Sequence, residues 1–235
     1  MSVEERVAAI RACGVKDVTV LEFTQELAAM PAEEFLTRHL SSSVSRLPSF
    51  VRCGANWRFG AGGAGDAGFL RSRGIAVEVV PYAEFKGERI SSSRIRRCLE
   101  SGEIGDANAM MGRRFQVSGS RFCGKGLGKE FGYPTLNLKL ETLNLKLPLG
   151  VYEVEVGGRQ AIANYGLAPT MGDMAWHRPV LEIHLLGGCS DSLNSFNSCS
   201  ELSVSFLRFI RPERKFDSVQ DLQRQIAADC ATITT

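Results

Sequence analysis

Val151-Tyr152-Glu153-Val154-Glu155-Val156-Gly157-Gly158-Arg159-Gln160-Ala161-Ile162-Ala163-Asn164 is the stretch from which the fold can be read. Two strand-like runs flank a pair of glycines. A two-residue hairpin turn needs positive φ at both central positions, and glycine meets that need without steric cost. Further on, Val180-Leu181-Glu182-Ile183-His184-Leu185 alternates apolar and polar residues, and so does Leu202-Ser203-Val204-Ser205-Phe206. Such short alternating runs predict a small closed antiparallel β-barrel. Residues 187–200 are rich in Gly, Ser, Asn and Cys and read as a long loop. Asp217 with Gln220 predicts the start of a last helix, with Val219, Leu222 and Ile226 on one face.

Before Gly112 the pattern is different. Ser2 with Glu5 forms a capping box, and Val3, Val7 and Ile10 keep helical spacing until Gly14. Val18, Val20 and Phe23 suggest a short strand. A helix is expected from Pro31 to near Leu40, and strands at Phe50–Cys53 and Val77–Val80. Glycines mark residues 60–68 as a loop. Ser91 to Ser93 cap a helix running to Leu99, and Ile104–Met111 reads as another. Alternating strands and helices predict a parallel sheet with helices packed on it. The expectation is therefore an α+β protein in two domains, an α/β domain over 1–112 and a barrel with a C-terminal helix over 113–235.

The chain has 235 residues, 44% of them hydrophobic and 23% charged, which is the profile of a globular protein. A net charge of +2 is too weak a bias to suggest nucleic acid as a partner by itself, and none is expected. A local basic cluster at Lys86, Arg89, Arg94, Arg96 and Arg97 reads either as a solvated helix start or as a second phosphate site. The seven cysteines are odd in number, scattered and free of C-x-x-C spacing. That argues against a disulfide framework or zinc site and for a reducing, cytoplasmic setting. No apolar run reaches the ~18 residues of a membrane span, and no signal peptide is evident.

The stretch most suggestive of chemistry is Gly124-Lys125-Gly126-Leu127-Gly128-Lys129-Glu130-Phe131-Gly132-Tyr133-Pro134-Thr135-Leu136-Asn137. So many glycines disfavour a helix and permit close approach of backbone N–H groups to an anion. With Lys125 and Lys129 beside them, the expected guest is a phosphate chain. Thr135 and Asn137 share one side of an extended segment and could offer neutral oxygens to Mg²⁺. A flexible hairpin loop with Thr and Asn as turn residues accounts for the same residues. Two better-known phosphate motifs fail. Gly119-x4-Gly124-Lys125 begins like a P-loop, but Gly126 stands where Ser or Thr is required, and the following glycines forbid the helix that must open there. The spacing G-x-G-x-x-G fails at Lys129.

Residues from Phe115 onward resemble the riboflavin kinase domain. The resemblance rests on Gly132-Tyr133-Pro134-Thr135-Leu136-Asn137, Gly150-Val151-Tyr152, Ala163-Asn164-Tyr165-Gly166, Pro169-Thr170, Leu181-Glu182-Ile183-His184 and Ile210-Arg211-Pro212-Glu213-Arg214-Lys215-Phe216-Asp217-Ser218. The usual Pro-Thr-Ala-Asn has Leu136 in place of alanine. Residues 1–112 resemble the later part of the FAD synthetase domain of the bifunctional bacterial enzyme. The matching pieces are Phe23–Ala28, Pro31–Phe35, Gly54-Ala55-Asn56-Trp57-Arg58-Phe59-Gly60, Gly65-Asp66 and Ile90–Arg96, with Ser93 replacing a threonine.

The resemblance implies transfer of the ATP γ-phosphate to the riboflavin 5′-hydroxyl, giving FMN. It implies ATP binding by Gly124, Lys125, Gly126, Gly128, Lys129, Gly132, Thr135 and Asn137. Thr135 and Asn137 would also hold Mg²⁺. Glu182 would be the general base, facing a barrel mouth, and Asn164 and Tyr165 would shape the flavin pocket. Trp176 could also pack on the flavin ring, with a core or surface role equally open. In the front half the resemblance assigns Asn56 and Arg58 to flavin contacts and Ser92, Ser93 and Arg96 to phosphates. The first strand of that domain and its His-x-Gly-His turn find no counterpart, so the expectation is FMN with little or no FAD. The alternatives are a bifunctional enzyme that keeps FMN adenylyltransferase activity, and a non-catalytic flavin- or nucleotide-binding module.

Overall fold

The computed structural model describes residues 3–41, 47–123, 128, 131–140, 145–167, 179–187, 196 and 201–234. Gly124, Lys125, Gly126 and Lys129, as well as Pro169, Thr170, Trp176 and nearly all of the 187–200 loop, lie outside the described residues. The contacts divide the chain into two compact units, Met1–Ala83 and Glu84–Thr235. The sequence changes character at Gly112, whereas packing changes at Ala83, because two helices between these points pack with the barrel.

The first unit contains α1 (Val3–Ala12), α2 (Gln25–Ala29), α3 (Ala32–Phe35) continued by wider turns to Leu40, β1 (Phe50–Gly54), α4 (Ala67–Arg71) and β2 (Ala76–Val80). β1 and β2 pair in parallel, Phe50 opposite Ala76 through Gly54 opposite Val80. Its core joins Leu36, Phe59, Leu70 and Ile75. The strand expected around Val18–Phe23 is absent. That segment has no regular structure, and Phe23 is 82% exposed, so the apolar residues find no ladder to join. α2 and α4 are short helices started by Thr24 and Asp66, whose side chains accept from the N–H groups of Leu27 and Phe69.

The second unit opens with a small hairpin, β3 (Glu84–Phe85) and β4 (Glu88–Arg89), followed by α5 (Ser92–Ser101) and α6 (Ile104–Met111). Then come the barrel strands: β5 (Phe115–Phe122), β6 (Leu136–Leu140), β7 (Gly150–Val156), β8 (Arg159–Leu167), β9 (Pro179–Leu185) and β10 (Glu201–Pro212). They close in the order β10-β5-β6-β9-β8-β7 with all neighbours antiparallel. Gly157 and Gly158 both take positive φ, as the β7–β8 hairpin requires.

β10 closes the barrel. Its first half pairs with β5 and its second half with β7, and register shifts after Phe206 and Phe209 let it bend between them. Tyr152, Val154, Val156, Tyr165, Leu181, Ile183 and Phe206 fill the interior. The buried tyrosines each satisfy their hydroxyl, Tyr152 on the Pro148 carbonyl and Tyr165 on that of Leu145. Ile104 and Leu99 add to this core. Asn108 ties α6 to the seam: its Nδ2 donates to the Phe206 carbonyl, and its Oδ1 accepts from the Phe115 N–H. The last helix, α7 (Val219–Thr234), starts at Ser218, not at the expected Asp217–Gln220 pair. The Ser218 hydroxyl oxygen accepts from the Asp221 N–H and donates its proton to Asp221 Oδ2.

Candidate active site

On β9, Leu181, Ile183 and Leu185 point into the barrel, so Glu182 and His184 stand on its outer wall. The expectation that Glu182 faces the barrel mouth is thus corrected, since the packed core occupies the interior. The outer wall here is roofed over by α7 and the segment leading to it. Between them lies a cavity of about 680 Å³. The wall contributes Thr135, Val151, Ile162, Asn164, Glu182 and His184. The roof contributes Glu213, Arg214, Lys215, Phe216, Leu222, Ile226 and Asp229, and Gly128, Phe131 and Tyr133 close one side.

The register sets the polar row on this wall. Glu182 is opposite Asn137 on β6 and opposite Asn164 on β8. Directly opposed residues have Cβ atoms about 4.5–5.5 Å apart. Leu136 and Leu138 point into the core, which leaves Asn137 on the outer face with Glu182. Thr135 is fixed from two sides. The His184 Nδ1–H donates to the Pro134 carbonyl at 3.0 Å, and the His184 ring meets Tyr133 edge-on. Gly128 packs so closely that an added Cβ would lie 2.5 Å from the Tyr133 carbonyl oxygen and 3.2 Å from Thr135 Oγ1. The Tyr133 N–H donates to the Gly128 carbonyl, and Gln223 of α7 donates to that of Phe131. Gly132 takes a left-handed φ of 83° that a side chain would oppose.

The roof is tied down by a buried ion pair. Arg211 Nε lies 2.9 Å from Asp229 Oδ2 and 3.1 Å from Oδ1, with Nη2 2.8 Å from Oδ2. Gln225 adds a bond to Asp229 Oδ1. Burial, and after it the like charge of Glu213, push the Glu182 carboxyl above the ordinary carboxylate value. That direction suits a proton acceptor, because a base works best when its pKa approaches the working pH.

The other predicted residues are placed as follows. Asn164 lines the cavity and donates to Glu213. Tyr165 is corrected: it lies on the opposite face of β8, 1% exposed in the barrel core, and has no place in the cavity wall. In the first unit, Asn56 and Arg58 are exposed in the loop after the carboxyl end of β1, where open α/β sheets bind ligands. Arg58 donates to the Trp57 carbonyl. In the second unit, Ser92 and Ser93 form the exposed first turn of α5, capped by Ser91, and Arg96 is exposed one turn on. Part of the basic cluster is structural. Arg94 donates to the carbonyls of Phe85 and Glu88, and Lys86 pairs with Asp106 at 2.7 Å. Sequence reasoning missed Glu213, Arg211 and Asp229 as site residues. Glu213 and Arg211 sat inside a matched landmark, whereas Asp229 gave no signal among the helix polar residues.

The six-stranded antiparallel barrel thus carries a helix-roofed cleft on its outer wall, with polar side chains beside an apolar strip. The riboflavin kinase family model matches residues 111–235, and the FAD synthetase model matches residues 1–94. The bifunctional riboflavin kinase/FMN adenylyltransferase of Pseudomonas fluorescens is 32% identical over 227 residues, covering 93% of this chain and 70% of that protein. The enzyme of the same description from Escherichia coli K12 is 31% identical over 234 residues, covering 96% and 71%. The chain belongs to the bifunctional riboflavin kinase/FMN adenylyltransferase family. A solved structure described as a macrolide-efflux protein from Streptococcus pneumoniae is also similar, with a TM-score of 0.81, 27% identity, and coverage of 97% of this chain and 73% of that one.

Proposed function

We propose that this chain phosphorylates the 5′-hydroxyl of riboflavin with ATP, giving FMN and ADP. The observation that carries the reading is the convergence of Thr135, Asn164 and Glu182 on one cavity, with Asn137 directly opposite Glu182 on the same wall. Phosphoryl transfer depends mainly on positioning and charge stabilisation. The residues of this chain suit both tasks. Gly128 packs closely on Tyr133 and Thr135 and so holds the Thr135 segment at the cavity wall, where a phosphate chain would lie. The apolar part of the cavity, Val151, Ile162, Phe131, Leu222 and Ile226, offers a flat hydrophobic guest a place away from water.

Glu182 then accepts the proton of the ribityl 5′-hydroxyl. The freed oxygen bonds to the γ-phosphorus as the bond to the β–γ bridging oxygen breaks, and ADP carries away that electron pair. Thr135 and Asn137 fit a hard cation, being two neutral oxygen donors of one extended segment. Such a site suits Mg²⁺, because phosphate oxygens and water make up the rest of its shell. Bound there, Mg²⁺ would neutralise phosphate charge.

The test is chromatography of products from riboflavin, ATP and Mg²⁺. FMN is expected, and Glu182→Gln should lower its rate of formation roughly 10²–10⁴-fold. A folded Glu182→Gln protein with the parent rate would refute the role of Glu182. The match of the FAD synthetase model to residues 1–94 favours a second reading, adenylyl transfer to FMN, and the same chromatogram reports FAD. Among the described residues no helix is long and apolar enough to cross a membrane. We take the substrates to be riboflavin and ATP, and the scattered cysteines fit a reducing, cytoplasmic setting.

A further inference from the structure

We propose that Gln223 is a positioning residue for the nucleotide: from the roof helix α7 its carboxamide holds the Phe131 carbonyl, and so keeps the Phe131–Thr135 segment where ATP meets it. This deepens the reading of the cavity as a kinase site and rests on it. Gln223 Nε2 donates to the Phe131 carbonyl at 3.1 Å, joining residues 92 positions apart. Both residues are half-buried. Leu222, next to Gln223 on α7, lines the cavity, and so does Phe131. The bond therefore lies at the seam where the roof meets the side wall.

The segment has little else to fix it. Ladder pairing with β9 begins only at Leu136. The Tyr133 N–H bonds the Gly128 carbonyl, which ties the loop to itself and not to the barrel. Among the described residues two side-chain hydrogen bonds lead outward from this stretch. His184 on β9 holds the Pro134 carbonyl, and Gln223 on α7 holds that of Phe131. Gly132, with its left-handed φ, lies between these anchors and is the natural pivot. The helix end of the bond is firm, because Arg211 and Gln225 both bind Asp229 on α7. A hydrogen bond of this kind shifts a local equilibrium by roughly 2–10-fold. Without it, the share of molecules with the segment in place falls by that factor at most, and apparent nucleotide affinity falls with it. Bound ATP draws the segment back, so kcat at saturating ATP stays near the parent value. Leu222 and Ile226 keep their places, so the flavin side is undisturbed.

The experiment compares the full chain with Gln223→Met, which keeps the length and packing of the side chain and loses the donor. FMN formation is followed with ATP varied at saturating riboflavin, and then the reverse. The KM for ATP is expected to rise roughly 2–10-fold, with kcat and the KM for riboflavin near the parent values. Calorimetric titration with ADP and Mg²⁺, without flavin, should show Kd weakened by the same factor. If Gln223 only stabilised the fold, Tm would fall and both KM values would move together. That result overturns the proposal, as does an unchanged KM for ATP with an unchanged Kd for ADP. A parent chain that forms no FMN and binds no ADP would overturn it together with the reading it rests on. A parent that does both, beside a Gln223→Met protein identical to it, would overturn the role of Gln223 alone.

Discussion

Asp229→Ala should loosen the roof of the cleft and thereby weaken both fold and substrate binding. The Asp229 side chain is 4% exposed and that of Arg211 18%, and the guanidinium meets the carboxylate through two nitrogens. Removing one member of a buried pair leaves the other charged and poorly hydrated, at a cost of about 3–5 kcal/mol. Arg211 retains some access to water and a bond to the Pro212 carbonyl, so the lower end of that range is expected. At about 2–4 °C per kcal/mol for a chain of this size, Tm should fall by roughly 6–12 °C. Leu222 and Ile226 lie on the same helix and line the cavity, so the KM for riboflavin should rise with little change in kcat. Calorimetry and steady-state kinetics read both effects. The double variant Arg211→Met/Asp229→Leu should recover most of the stability, because an apolar pair of similar bulk has no charge to strand. A single variant within about 2 °C of the parent, or a double variant as unstable as the single, would refute the reasoning.

Gly128→Ala should raise the KM for ATP and lower kcat, since its Cβ must displace the Tyr133 carbonyl; a shift of about 1 Å can cost ~10²-fold in rate. Steady-state kinetics with varied ATP, on a protein shown folded by circular dichroism, checks this, and a parental KM would count against it. Tyr152→Phe leaves the Pro148 carbonyl without its partner and should cost about 1–3 kcal/mol in denaturant unfolding, with activity kept because the ring faces the barrel interior. Glu182→Gln should be more stable than the parent at neutral pH. The native carboxyl binds its proton more tightly than the ordinary value of 4.5, so its contribution is fully favourable below that pH and is lost as pH rises through the raised pKa. The stability gap between the two proteins should therefore close on acidification, and urea titrations at several pH values would reveal a gap that does not.

The barrel was legible because its strands carry local signals that agree with their burial. Gly157-Gly158 fixes one hairpin, and the alternation in β9 places Leu181, Ile183 and Leu185 inside without ambiguity. The parallel pairing of β1 with β2 and the helices over 92–101 and 104–111 were legible for the same reason, through caps and periodicity. What alternation cannot tell is what lies over the outer face. Glu182 reads as a solvated residue until α7 roofs it, and that contact joins positions distant in sequence. Tyr165 illustrates the converse error. It neighbours Asn164 in a matched stretch, yet strand geometry turns the two residues to opposite sides. Val18–Phe23 has strand-like residues but no partner to pair with, and propensity alone does not make a strand.

The carboxamide of Asn108 spans the point where β10 parts from β5, and Ile104 on the same helix is 1% exposed within the barrel core. A fragment trimmed to begin at residue 113 would carry an open notch in its wall and a bared apolar floor where these two side chains had been. Anyone isolating the kinase half for crystallisation or ligand screening should begin at Glu84, keeping the small hairpin and both helices as part of the folded body.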